Sequence, residues 1–265
     1  MTRSELASMI DTTDQDSARA DAARLEELGY GTIWVAGGQL QTSLEPLSRL
    51  LEATGRIRVG SAVTMVDRHA AAALAERYIE APDRLVAGIG GGHGPHPLRT
   101  LNAYLDELDS STPIPQQDRI LAALGPRKLD LAARRSAGAL TILNTPEYTA
   151  WARERLGAGP TLIVQQLAAI GLEPDQARER AREPLRFLSR VTGYPENFAR
   201  MGFTEGEITG LEDSLVDGLV AHGDVDTVAE RMRAHLDAGA DQVIYSGLGP
   251  DPERHEHWRQ LIERL

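Results

Sequence analysis

LVAGIGGGHGPHPLRTL, residues 85–101, is the stretch from which the fold is read. Its first five residues, Leu85 to Ile89, form the short apolar run expected of a strand buried on both faces. Three glycines follow, Gly90, Gly91 and Gly92, and then His93-Gly94-Pro95-His96-Pro97. With no Cβ atoms in the way, such a turn lets backbone N–H groups approach a flat or anionic ligand. From Pro97 to Leu108 the spacing predicts a helix. Strand, glycine turn and helix together make one βα unit, and a chain of such units builds a parallel sheet covered by helices.

The same unit recurs on both sides. Upstream, residues 17–28 place Ala20, Ala23, Leu25 and Leu28 near one helical face, and Gly29 ends that helix. TIWV (32–35) predicts a strand, 44–53 a helix, RVGSAV (58–63) a strand and 70–79 an alanine-rich helix. Downstream, ILAALGP (120–126) predicts a strand with a Gly-Pro turn, 128–135 a helix, 139–143 a strand and 161–165 another. Asn144 follows the strand at 139–143, and Thr145-Pro146-Glu147 opens a helix. From Pro174 to about His222 the sequence reads as charged and helical. Asp224 caps a helix through Leu236, QVIYS (242–246) is the last strand, and 251–265 the closing helix.

Seven strands are therefore visible, where a closed barrel of this kind needs eight. Ahead of Ser17 nothing alternates or runs apolar except Met9-Ile10, so either a minimal first strand lies within residues 4–11 or the barrel has a gap there. The expected fold class is α/β, a TIM (β/α)8-type barrel with a degenerate or missing first strand. Its 265 residues suit one domain spanning 1–265.

Composition excludes several chemistries. The net charge of −11, without a basic cluster, argues against nucleic acid or an anionic membrane as partner. Among 28 basic residues only Lys128 is a lysine, and it falls where a helix is expected, so Schiff-base chemistry is set aside. The absence of cysteine excludes disulfides, thiolate metal sites and cysteine nucleophiles. The polar N-terminus is not a signal peptide and no run of about 18 apolar residues exists, so the expected location is cytoplasmic. His93-x-x-His96 sits on a proline-interrupted loop without a third ligand, so no metal is expected. A serine triad lacks its G-x-S-x-G elbow.

Five segments, in this order, resemble the luciferase-like superfamily of flavin- and deazaflavin-dependent oxidoreductases. They are LEELGYGTIWV (25–35), IRVGSAVT (57–64), the glycine stretch 88–94, LAALGPR (121–127) and AHLDAGADQV (234–243). The segments ALGPR and HLDAGAD are similar to the actinobacterial F420-dependent branch. The resemblance implies a TIM barrel, usually a homodimer, with its cofactor across the C-terminal ends of the strands. It implies a non-proline cis peptide at Ala62-Val63 behind the cofactor ring. It also implies that Gly90, Gly91 and Gly92 line the ring or its side chain, and that Gly125, Pro126 and Arg127 hold the cofactor phosphate. That last role is physically sound, since a glycine allows close approach, a proline opens the helix and Arg127 is a permanent forked donor. The implied cofactor is coenzyme F420, with FMN as the alternative, and the partner a small-molecule substrate.

The chain departs from the family after the second strand, where Ala36-Gly37-Gly38 replaces the usual acid–base residue, and at His93, where members often carry Glu or Ser. His93 is the best candidate proton donor, because its ordinary pKa suits neutral pH. His69 and His96 are weaker candidates, and Asn144, Gln165, Tyr245 and Ser246 sit at strand ends where they can hydrogen-bond a ligand. Two readings stay open at this point: an F420-dependent oxidoreductase, with FMN-dependent monooxygenation as a variant, and a non-catalytic or cofactor-free relative that binds a ligand or partner.

Overall fold

A computed structural model describes residues 5–36, 44–91, 96–111 and 113–265. Ten strands run parallel: β1 (Leu6–Ile10), β2 (Thr32–Ala36), β3 (Arg58–Ala62), β4 (Thr64–Met65), β5 (Leu85–Gly90), β6 (Arg119–Ala122), β7 (Gly138–Ile142), β8 (Thr161–Ile170), β9 (Val220–Gly223) and β10 (Gln242–Gly247). Eight of them follow the order β10-β1-β2-β3-β5-β6-β7-β8, and β8 pairs back to β10. The result is a closed TIM-type barrel.

The eighth strand is the one that the sequence left open. β1 hydrogen-bonds on both sides, with Leu6 opposite Val243 and Met9 opposite Trp34. LASMI escapes recognition because only part of it is strongly apolar. Ser8 is nevertheless fully buried, and its hydroxyl donates to the Met9 carbonyl (3.1 Å). Two further strands were not expected. β4 continues β3 after one residue and pairs with β5. β9 lies inside the stretch read as helical through His222; it pairs with the far end of β8, Leu167 opposite Val220. That pairing exists because β8 runs on to Ile170, five residues past the expected end of its strand at Gln165, and needs a neighbour there.

Helices α1 (Gln15–Leu28), α2 (Glu45–Ala53), α3 (Ala71–Glu80), α4 (Pro97–Ser111), α5 (Pro126–Arg135), α6 (Pro146–Leu156), α11 (Val225–Asp237) and α12 (Arg254–Arg264) follow successive strands. They cover outward-facing residues such as Ile33, Val35, Val59, Leu85, Ile89, Leu121 and Val243 in the main core. Between β8 and β9, α7 (Pro174–Leu188), α8 (Tyr194–Arg200), α9 (Glu205–Gly210) and α10 (Asp213–Leu219) form an insert. It has a second core built from Leu185, Phe198, Leu215 and Leu219 against Leu143 and Leu167.

Inside the barrel, Ala7, Trp34, Val86, Ile120, Leu140, Ile163 and Ile244 meet as one cluster. β3 adds only Ala62 at the edge of this cluster; at its middle Gly60 lies under the Trp34 ring, where a Cβ would come within 2.7 Å of it. The indole N–H donates to Gln242 Oε1 (3.1 Å), and Gln242 Nε2 donates to Thr32 Oγ1 (3.3 Å), which fixes the ring across the barrel. Gly88 has a different reason. A Cβ on it would sit 1.7 Å from the Ser61 carbonyl oxygen, so the close approach of β3 and β5 requires a glycine.

A buried polar chain ties α6 and α11 to β8. Asn144 Nδ2 donates to Thr149 Oγ1 (3.1 Å), which lies 2.8 Å from His235 Nδ1. His235 Nε2 is 2.9 Å from Gln166 Oε1, while Gln166 Nε2 donates to the carbonyls of Leu167 and Leu219. Because the amide uses its N–H groups on those carbonyls, its oxygen faces the ring, and His235 donates from Nε2 and accepts at Nδ1 as a neutral imidazole. Burial, reinforced by the nearby Arg231 guanidinium, pushes its pKa down to about 3.

Two consequences are measurable. Gly88→Ala is expected to lower stability by roughly 3 kcal/mol or more, or to prevent folding, because backbone must move. Gly206→Ala on α9, where a Cβ meets nothing within 4 Å, is expected to leave the urea midpoint unchanged or slightly raised. Equal loss in both variants contradicts this account. For His235 the folded pKa lies below the ordinary 6.5, so the unfolded chain binds the extra proton. Its stabilisation is complete above that value and is lost as pH falls toward about 3. Between about pH 7.5 and about pH 5 the expected loss is about 2 kcal/mol. His235→Gln should shrink the pH dependence of the urea midpoint by that amount; an unchanged dependence refutes the assignment.

Candidate functional site

Side-chain alternation places Met9, Ala36, Ala62, Gly90, Ala122, Ile142, Gln165 and Ser246 at the C-terminal mouth of the barrel, pointing inward. The mouth is asymmetric. On β2, β3, β5 and β6 its residues are Ala36, Ala62, Gly90 and Ala122, four small groups in a row. On the other side stand Met9, Ile142, and Gln165, whose Nε2 donates to Ser246 Oγ (3.2 Å). Ile142 also packs against the core of the helical insert, which therefore rises beside this half of the mouth. Small residues thus line one side of the mouth, and a polar pair with bulkier residues the other.

The wall is built by close contacts. The Ala62–Val63 peptide is cis, as the resemblance implied. Val63 then lies so near Gly90 that a Cβ there would come within 2.3 Å of its Cγ2 and 3.0 Å of Ala122 Cβ. Below it, Ser61 Oγ donates to the Gly88 carbonyl (2.8 Å) and accepts from Thr64 Oγ1 (2.9 Å), holding the chain on either side of the cis bond. Gly91 has φ +102°, a left-handed conformation that turns the chain out of β5 beside Asp67 and Met65. Gly92 and His93 lie outside the described residues, as do Gly37 and Gly38.

The second feature is the start of α5. Gly125 is its N-cap with no side chain to close it, and Pro126 is its first residue. At φ −102° Gly125 is ordinary extended backbone, and a Cβ on it would meet nothing within 4 Å. None of the described residues requires a glycine here, and the position stands at a helix N-terminus that favours an anion. Arg127 is exposed on the same turn. The preceding Leu124 carbonyl accepts from the buried Tyr148 hydroxyl, which fixes the turn to α6. Gly125 and Gly90 therefore share a residue type for unrelated reasons.

The remaining strand-end candidates divide. Gln165 and Ser246 do face the mouth and touch each other. Asn144 turns away into the buried His235 chain, after Leu143 adopts φ +55°. Tyr245 faces outward, toward a cleft of about 220 Å³ between β1, β10, α1 and α12 that includes Asp11, Asp14, Asp21 and Arg254. His96 is exposed and its carbonyl accepts from Arg99 and Thr100 at the start of α4. His69 lies in the turn after β4, its N–H donating to the Met65 carbonyl. Lys128, passed over in the sequence because of its helical context, lies at the edge of the wall with its Nζ 3.2 Å from the Gly91 carbonyl. Only its uniqueness as a lysine could have singled it out. Among the described residues no cluster of His, Asp or Glu is fit to hold a metal, and no helix is long and apolar enough to cross a membrane.

Known proteins share this architecture. The coenzyme F420-dependent tetrahydromethanopterin reductase from Methanopyrus kandleri superposes with a TM-score of 0.70 at 16% identity, over 98% of each chain. An F420-dependent secondary alcohol dehydrogenase, solved with an F420–acetone adduct, gives a TM-score of 0.74 at 12% identity over 99% of each. The FMN-bound oxygenating constituent of 3,6-diketocamphane monooxygenase from Pseudomonas putida gives 0.62 at 13% identity, over 97% of this chain and 96% of that one. Such identities show a shared fold. No curated protein matches. The family model described as luciferase-like monooxygenase matches residues 2–111 and 106–242, nearly the whole barrel. By that match, the chain belongs to the luciferase-like monooxygenase family.

Proposed function

We propose that this protein is an oxidoreductase that takes coenzyme F420 at the barrel mouth and transfers a hydride between it and a small organic substrate. The observation that carries this reading is the pairing of a wall of small residues with an uncapped helix N-terminus at Gly125, where a Cβ would meet none of the described residues within 4 Å. A planar ring with an anionic tail has that chemistry. Ala62, Val63, Gly90 and Gly91 would back the ring, with Gly92 beyond them, and Gly125, Pro126 and Arg127 would take the phosphate. FMN has the same two parts and is the alternative cofactor. The two F420-dependent proteins with this fold favour the deazaflavin.

When bound, the cofactor supplies a hydride donor or acceptor at its ring. The chain does the rest. The wall excludes water from one ring face, and Gln165 with Ser246 presents a hydrogen-bonding pair for a substrate oxygen on the opposite side. His93, which follows the glycines in the sequence, is the proposed proton donor or acceptor. The reading of a barrel that has lost its cofactor leaned on the Ala36-Gly37-Gly38 replacement together with a weak first strand; the second of these grounds falls, because β1 is present and paired on both edges. A homodimer through α2 and α3 belongs to the same proposal, and Ile79 on α3 is an exposed large apolar residue there.

Titration with F420, and separately with FMN, followed by fluorescence, tests the proposal. Saturable binding of F420 is expected, with Arg127→Ala weakening it about tenfold, the size of one charge-assisted hydrogen bond. Gly125→Val should abolish binding while leaving the urea midpoint unchanged, since a Cβ there meets none of the described residues within 4 Å. A folded wild-type protein that binds neither cofactor refutes the reading.

A further inference from the structure

Lys128 stands in the first turn of α5, one residue after Arg127, and the two side chains diverge. Arg127 is exposed, whereas Lys128 is half-buried and turned toward the end of β5. Its ammonium donates to the Gly91 carbonyl (3.2 Å), and that is its one hydrogen bond among the described residues. An ammonium carries three N–H donors and no acceptor, so two donors remain at a partly desolvated cation. No carboxylate of the described residues lies within ion-pair distance. Asp67, whose Oδ2 comes near Gly91, acts on it only at longer range. Most other part-buried cations here are matched: Arg58 with Asp118, Arg119 with Asp109, Arg153 with Asp241, Arg178 with Asp217. A cation left half-buried and under-bonded is costly unless something anionic completes it.

Its position says what that is. Lys128 lies between the two features of the site, with Gly90–Gly91 of the wall on one side and the open N-terminus of α5 on the other. We infer that Lys128 is a binding residue that completes an oxyanion site at the mouth, giving its free N–H donors to an anionic oxygen of the bound flavin-type cofactor. This rests on the cofactor reading above and adds to it a residue that the family resemblance did not supply. The oxygen comes from one of two sources in such a ligand, the tail phosphate or the ring's carbonyl edge, which takes on negative charge when the ring is reduced or ionised, and both are met by the same donors. Burial lowers the pKa of Lys128 from the ordinary lysine value, and Asp67 partly restores it, as expected of a cation short of partners.

Because the chain has a single lysine, the wild-type protein reports on it directly. The rate of Lys128 acylation by an amine-reactive ester, read by mass spectrometry with the N-terminal amine as internal control, is to be measured alone and with F420, FMN, riboflavin or inorganic phosphate. Protection by F420 and FMN, but by riboflavin only weakly, assigns the tail phosphate; equal protection by FMN and riboflavin assigns the ring edge. Either supports the inference. Binding constants of Lys128→Met and Lys128→Arg for the same ligands complete the test. Loss of about tenfold in the first and recovery in the second is expected, since a charge is restored. Wild-type protein that binds F420 or FMN while Lys128 acylates at an unchanged rate, and a Lys128→Met variant that binds equally well, overturn the inference but not the cofactor reading. If neither cofactor binds, the cofactor reading fails. The oxyanion site then stands only if phosphate protects Lys128, and it is overturned if phosphate does not.

Discussion

The barrel depends on one strand being bonded along both of its edges. β1 is five residues long and lies between β10 and β2, so its N–H and C=O groups answer two strands that otherwise present open edges. Closure follows, and with it a single interior. With β1 between them, Trp34 on β2 reaches Gln242 on β10, and only a closed rim brings Gly90, Ala122, Gln165 and Ser246 around one opening. The site is therefore a consequence of the first few residues, although none of them carries its chemistry.

Above that closure, small residues set the distances. Gly60 accepts an indole, Gly88 accepts a neighbouring carbonyl and Gly90 accepts Val63. Each removes a Cβ where another group already stands, so these glycines are filled by the protein. Gly125 is the opposite case, a missing side chain whose place none of the described residues fills. The distinction separates glycines that build the wall from a glycine that leaves room for something else, and composition alone cannot draw it.

Seven strands were legible because each is a short apolar run rich in β-branched residues between helix-patterned segments, as TIWV and TLIV are. LASMI was not, because its place is set by two partners distant in sequence and its small and polar residues are buried by them. The strand Val220–Gly223 was lost among helices for a similar reason, since only the overrun of β8 gives it a mate. At the site, Gln165 and Ser246 followed from the rule that strand ends face the mouth. Asn144 and Tyr245 broke it: Leu143 with φ +55° turns Asn144 outward, and Tyr245 has outward parity on its strand. Lys128 was hidden because its role depends on which way one turn of helix faces.

The overrun of β8 also divides the labour of the molecule. Residues 174–219 fold over their own core, and main-chain pairing with β9 hangs that core from an extension of a barrel strand. Ile142 and Leu143 are where it meets the rim. Sequence drift within this insert can reshape one side of the mouth without disturbing barrel closure or the small-residue wall opposite. A scaffold arranged in this way can hold half of its rim constant and vary the other half.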